Sequence, residues 1–329
     1  MSATSSHELI AATPVWEGSV GWTVECLPYS DGVLAQYRAA GFAHLSLTVA
    51  AEWNAPADTL RHLGRVRRFF LDNGNDYALV RTAADIAAAK AAGKLAISFN
   101  FQGAGPFAGD PGLIEPYSQL GVKLAILSYN ARNALGDGCQ EPGDGGLSEL
   151  GRRFVAEMNR VGMMIDLSHV GRQTALDVIQ ESYQPCVFSH SNPRAVCKHV
   201  RNIGRKLIRA CADKGGVIGL NSLGFMLTED ARATVPDFVR HIQFVVDEVG
   251  PAHVALGMDW NFYDAFMQQM FATNPALAKL GYPAPPWASL GPETLPAIVD
   301  SLLASGWTDT DVAALLGGNM MRLAERIWR

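Results

Sequence analysis

No apolar run in the chain reaches the roughly 18 uninterrupted residues from which a membrane-spanning helix is read. Nor do the residues from Met1 to Thr13 carry the basic and then apolar segments that open a secretory signal. Basic charge is also thin: 27 Lys and Arg stand against 32 Asp and Glu, a net charge of −5, and no cluster forms the stripe that would neutralise a phosphate backbone. These absences speak against membrane and nucleic acid as partners. The five cysteines (Cys26, Cys139, Cys186, Cys197, Cys211) are odd in number and contain no Cys-x-x-Cys pair, so neither a disulfide framework nor a cysteine-rich structural zinc site is expected. A reducing, cytoplasmic setting fits this usage best.

Linkers, acidic tails and short repeats are missing too, and composition stays even across the 329 residues. The chain reads as one domain over 1–329, with residues 1–12 as a flexible tail. What is present is a recurrence of short, β-rich apolar runs: Phe42–Ala50, Lys94–Gln102, Lys123–Asn130, Gly162–Val170, Cys186–Ser191, Gly216–Leu223 and His253–Trp260. An eighth strand is expected within Thr13–Trp22. Between these runs, Leu147–Val161 places Leu150, Phe154, Val155 and Met158 at three- and four-residue spacing, and Val235–Val249 repeats that pattern. Continuous apolar strands alternating with amphipathic helices mean a parallel sheet covered on both faces. With no Gly-rich dinucleotide loop after the first strand, a closed (β/α)8 barrel is favoured over an open doubly wound sheet.

In such a barrel the chemistry gathers where strands end. One apolar run ends in His169, the next in His190, the last in Asp259, and an earlier one in Gln102. A lone histidine there is more often structural; two on consecutive strands with a carboxylate further on suit an open zinc site, which needs three protein ligands and a free position. His7, His44, His62, His199, His241 and His253 lie elsewhere and read as structural or solvated. Strand alternation turns Asp166 with Ser168 and away from His169, so it braces rather than ligates. Cys139, in a Gly-rich loop, reads as a small buried residue. Asn319 reads as the N-cap of the last helix. Trp260, Phe262, Tyr263 and Phe266 are candidates either for the pocket wall or for ordinary rim packing.

The segments LSYNARNALGDGCQEPGDGGLSELGRRFVAEMNRVGMMIDLSHV, PCVFSHSNPRAVCKHVRNI and KGGVIGL, followed by HVALGMDW and GGNMMRLAERIW, resemble the membrane (renal) dipeptidase family of the amidohydrolase superfamily. The resemblance runs from about residue 35 to the end and implies the same (β/α)8 barrel. It implies that His169 and His190 are imidazole ligands of a zinc ion, that Asp259 handles the proton of the water, and that Arg201, with Asn202 beside it, holds the substrate carboxylate. Tyr129 stands where many members have a histidine near the scissile carbonyl.

The sequence also departs from that family. The Asp-Gly-His-x-Asp motif of its binuclear members has Glu17–Gly21 as counterpart here, with Ser19 and Gly21 in the ligand places, and Gln102 replaces the bridging glutamate. A neutral amide oxygen can bind one metal but lacks the charge that holds two cations together. The expectation is one Zn2+ per chain on His169 and His190, with help from Gln102 or Asp259, hydrolysing a dipeptide or small acyl-amino acid. Other readings are a metal-dependent lyase or decarboxylase on the same barrel and a catalytically inactive binding protein. A homodimer is left open.

Overall fold

The computed structural model describes residues 5–21, 31–260, 269, 271–279 and 282–329. Among the described residues nine strands form one all-parallel sheet: β1 (Val15–Gly21), β2 (Phe42–Ala51), β3 (Tyr77–Leu79), β4 (Leu95–Gln102), β5 (Val122–Ile126), β6 (Met164–Asp166), β7 (Val187–Phe188), β8 (Val217–Leu220) and β9 (Val254–Leu256). Eight of them follow one another around a nearly closed barrel in the order β1-β2-β4-β5-β6-β7-β8-β9. This is the (β/α)8 architecture expected, and the weak eighth strand is β1. The extra strand β3, which the sequence pattern did not reveal, pairs with the lower half of β4 at Leu95–Ile97, below the stretch Phe99–Phe101 that pairs with β5. Three residues are too few to display an alternation of period two.

Crossover helices cover the sheet. Helix Glu149–Val161 starts where the Ser148 hydroxyl accepts the Gly151 N–H, buries Phe154, Val155, Met158 and Val161 against the barrel, and stops at Gly162, whose φ of 77° no other residue adopts easily. Helix Val235–Val249 has the bounds its periodicity predicts. Part of the expected flexible tail is ordered instead: Ser6–Ala12 is a helix, with a reciprocal Ser5–Glu8 capping box and with Leu9 and Ile10 buried. Its short apolar pair was too small a signal to outweigh the polar residues around it. No helix among the described residues is long and apolar enough to cross a membrane.

The seam between β9 and β1 is built differently from the other joints. Among the described residues no ladder joins these two strands. At the lower end, the Asn319 amide donates to the carbonyls of Val254, the first residue of β9, and Pro251, in the turn before it, both at 2.8 Å. Asn319 is thus not an N-cap; the helix runs into it through a π turn, Ala314–Gly318, and its own φ and ψ are helical. Higher up, β1 lies so close to the barrel wall that a Cβ on Gly18 would sit 2.7 Å from the Ser189 carbonyl oxygen and 3.3 Å from that of Leu256.

Candidate active site

Most strand ladders stop earlier than the apolar runs suggest, and the polar residues that follow turn sharply into the barrel mouth. Asn130, His169 and Asp259 all have left-handed backbones, with φ of 62°, 67° and 54°. Non-glycine residues are rare there, and such strain collects where surrounding structure dictates a side chain's direction. The Gly-rich loop after β5 does this for His169: the Cys139 N–H donates to the His169 carbonyl at 2.8 Å, and the Gln140 N–H donates to the Asn130 carbonyl at 2.8 Å. That loop is tied across the mouth by Gln140, whose side-chain amide donates to the Tyr282 hydroxyl at 3.2 Å.

The two strand-end histidines meet, with Nε2 to Nε2 at 2.9 Å. Their other nitrogens define the tautomers. His169 Nδ1 lies 2.7 Å from the Asn130 side-chain oxygen, which can only accept. His190 Nδ1 lies 2.6 Å from Ser189 Oγ, whose own hydrogen goes to Asp166. Each Nδ1 therefore carries the hydrogen, and each Nε2 presents a bare lone pair to the other. Burial first, with the nearby Arg201 charge, holds both imidazoles well below the usual histidine range, so both are neutral at pH 7. Two facing lone pairs at hydrogen-bond distance with no proton between them form a donor set waiting for a cation. Asp166 completes the support as a brace, accepting the N–H groups of Ser168 at 2.9 Å and Ser189 at 3.0 Å.

Around this pair stand three further predicted residues. The Tyr129 ring stacks on His169 at 3.9 Å and 22°. Burial pushes its hydroxyl up to about 12, so it remains a hydrogen-bond donor. Arg201 is buried and donates to the His190 carbonyl at 3.3 Å. Among the described residues it has no carboxylate partner within salt-bridge range, which leaves a buried positive charge facing the mouth. Asp259 accepts from the Asn221 amide at 3.2 Å. Desolvation raises its carboxyl to about 7 against the opposing pull of Arg201, which places it where a proton acceptor works at neutral pH.

Two predicted residues are committed elsewhere. Asn202 donates its amide to the Cys197 carbonyl at 2.8 Å and the Met226 carbonyl at 2.9 Å, bracing a loop. Gln102 points its NH2 group at Ser19 Oγ, 2.9 Å, and Thr48 Oγ1, 3.3 Å. That hydroxyl pair, 3.3 Å apart, continues to Asn100, which accepts from Thr48 at 2.8 Å. Cys139 donates to Asn130 at 3.4 Å, and burial keeps its thiol protonated. Among the described residues no group of three or more His, Cys, Asp and Glu side chains is placed to hold a metal. The donor set that fits a cation here is the pair of neutral imidazole Nε2 atoms of His169 and His190.

Sequence reasoning missed Asn130, Ser189 and Asn221. Ser189 had a readable signal, since it sits next to a strand-end histidine; the other two act across more than 35 residues, Asn130 on His169 and Asn221 on Asp259. Of the aromatic candidates after the last strand, Trp260 is half-buried and meets Tyr37 edge-on at 5.8 Å, whereas Phe262, Tyr263 and Phe266 lie outside the described residues, as does Cys26.

Comparison with known proteins agrees with this fold. The family described as membrane dipeptidase (peptidase family M19) matches residues 30–274. A dipeptidase of Schizosaccharomyces pombe is 32% identical over 211 residues, 62% of this chain, and the match spans 51% of that relative, about half its length. The crystal structure of an amidohydrolase from Pseudomonas aeruginosa superposes with a TM-score of 0.87 at 31% identity, covering 99% of each chain. A metallopeptidase from Rhodobacter sphaeroides, solved with a phosphinate mimic of the dipeptide L-Ala-D-Ala, shares the fold with a TM-score of 0.79 at 22% identity over 96% of this chain and 99% of its own.

Proposed function

The chain belongs to the membrane dipeptidase family, peptidase family M19, and from that premise we propose that it is a metal-dependent hydrolase that opens the amide bond of a dipeptide or small acyl-amino acid, using one zinc ion per chain. The observation that carries this reading is the pair of bare Nε2 atoms of His169 and His190 at 2.9 Å. These two nitrogens would hold the metal, with the Gln102 amide oxygen as an uncharged third donor. Bound there, zinc supplies Lewis acidity to a water and to the scissile carbonyl.

The remaining work falls to the protein. Asp259 accepts a proton at its carboxylate and returns it to the leaving amine, as its elevated pKa allows. Arg201, buried and without a carboxylate partner among the described residues, takes the free carboxylate of the substrate in a charge-assisted contact, which selects short substrates over long peptides. Tyr129, kept protonated, donates its hydroxyl hydrogen to negative charge that develops on the carbonyl oxygen. Asn202, with its amide engaged by two backbone carbonyls, serves Arg201 by fixing the loop that carries it.

Metal analysis after dialysis, together with a panel of dipeptides and acyl-amino acids, tests the reading. We expect about one zinc per chain and hydrolysis that stops when a chelator removes it. Stoichiometric metal without hydrolysis would transfer the site to a lyase or decarboxylase, and failure to bind metal at micromolar supply would make the barrel a binding protein.

A further inference from the structure

Glu17 has no part in the reaction just described, yet it occupies a demanding place. Its side chain is fully buried at the seam between the first and last strands. Oε1 accepts two backbone hydrogens, from Ser19 and from Asp259, each at 3.3 Å. Oε2 is also buried and makes no hydrogen bond among the described residues. Burial is the main reason the carboxyl is pushed up to about 8, against the backbone N–H groups of Asp259, Ser19 and Met258, which favour its charged form; the nearby Asp259 charge adds a smaller push upward. An apolar side chain would fill this space without the penalty of burying a half-satisfied polar group.

What the carboxyl does hold is Asp259. The ladder of β9 ends at Leu256, and no ladder crosses from β9 to β1 among the described residues, so the Asp259 N–H has no strand carbonyl to meet. Its acceptor is Glu17. The same residue has a φ of 54°, a conformation that persists in a non-glycine residue only when its surroundings enforce it. Gly18 lets β1 come near enough for the contact, since any side chain there would strike the Ser189 carbonyl.

We propose that Glu17 is a positioning residue for Asp259: its carboxyl oxygen replaces the missing ladder across the seam, fixes the left-handed backbone of Asp259, and so aims the proton-accepting carboxylate into the mouth. The catalytic half of this inference rests on the reading of Asp259 as the base. Two variants of the full chain separate the parts. Glu17→Leu removes the acceptor and relieves the burial penalty, so the protein folds; Glu17→Gln keeps an oxygen for the same two N–H groups.

In Glu17→Leu, amide hydrogen exchange in the 254–260 segment should quicken by about tenfold or more. The kcat for the best dipeptide should fall by about tenfold or more, with KM and metal content within about twofold of the parent. Glu17→Gln should restore both. Unchanged exchange and unchanged kcat in Glu17→Leu would overturn the proposal, as would a Gln variant as impaired as the Leu variant. Faster exchange in a chain whose parent hydrolyses no dipeptide would uphold the positioning role while removing the hydrolase reading.

Discussion

The two sides of the barrel mouth handle polar groups in opposite ways. At the ends of β6 and β7, His169 and His190 are each pinned at Nδ1, by Asn130 and by the Ser189–Asp166 pair, and left with an unsatisfied Nε2. Across the mouth, on β1, β2 and β4, Ser19, Thr48, Asn100, Gln102 and Ser46 satisfy one another in a neutral chain, in which the Asn100 amide also donates to Ser46 at 2.9 Å. One side is held in readiness for a cation, whereas the other is satisfied without one. A buried polar network is stable when all its members are paired, and a pair of lone pairs facing each other is not. On the proposed reading, the contrast puts the metal on the imidazole side, where the donors are unpaired, and not on the side where the polar groups already satisfy one another.

Removing one member of the unsatisfied pair should break this contrast most severely. His190→Ala is expected to lose the bound metal and, with it, hydrolysis by roughly 10³-fold or more, the several kcal/mol that a Lewis acid contributes to the transition state. Metal analysis and turnover check this. The melting temperature of the metal-free protein serves as control and should change little, because the side chain belongs to the mouth and not to the barrel's packed layers.

A smaller effect tests whether charge or shape matters at the last strand. Asp259→Asn should keep the metal and lose about 10²-fold or more in kcat, since an amide cannot take a proton at neutral pH. In the parent chain the same group must be ionised to act as a base, so kcat/KM should fall about tenfold per pH unit on the acid side. That limb should lie at or below the value of about 7 set by burial, because a cation bound nearby favours the ionised carboxylate. The variant should lack this limb.

The least drastic comparison sets the two sides directly against each other. Ser189→Ala frees His190 Nδ1 and should weaken zinc binding by about 10–100-fold, as loss of a hydrogen bond to a ligand does. Gln102→Ala, on the neutral side, should weaken it by no more than about tenfold, since a neutral amide oxygen is a poor donor for zinc. Competition with a chromophoric chelator measures both. Equal losses would mean that the neutral side carries as much of the metal as the imidazole side.

The barrel and much of its site were legible because they rest on local pattern. Strand ends are visible as polar residues closing apolar runs, and His169, His190, Asp259 and Tyr129, which the fold brings together at the mouth, were singled out by that rule or by resemblance. Local pattern also misled: β3 was too short to read, Ser6–Ala12 was too polar, and Asn319 had the composition of a cap but sits inside a helix and holds the start of the last strand. The brace at Asp166 was anticipated from strand alternation, although the strand ends at that residue and His169 turns away through a left-handed backbone instead. Asn130 and Glu17 were invisible as supports, because their partners come from distant segments brought together only by closure.

That closure also bears on the order in which the molecule assembles. Glu17 and Asp259 are separated by 242 positions, so their contact closes a far longer loop than any pairing between neighbouring strands. Chain entropy places such a contact late in folding, once shorter loops have been drawn in by local pairing. A barrel lacking only its final joint would already have its imidazoles in place, since they sit on adjacent strands, but its proton acceptor would still be unaimed. Metal affinity and turnover would then emerge at different moments of folding, the first with the middle of the barrel and the second with its last stitch.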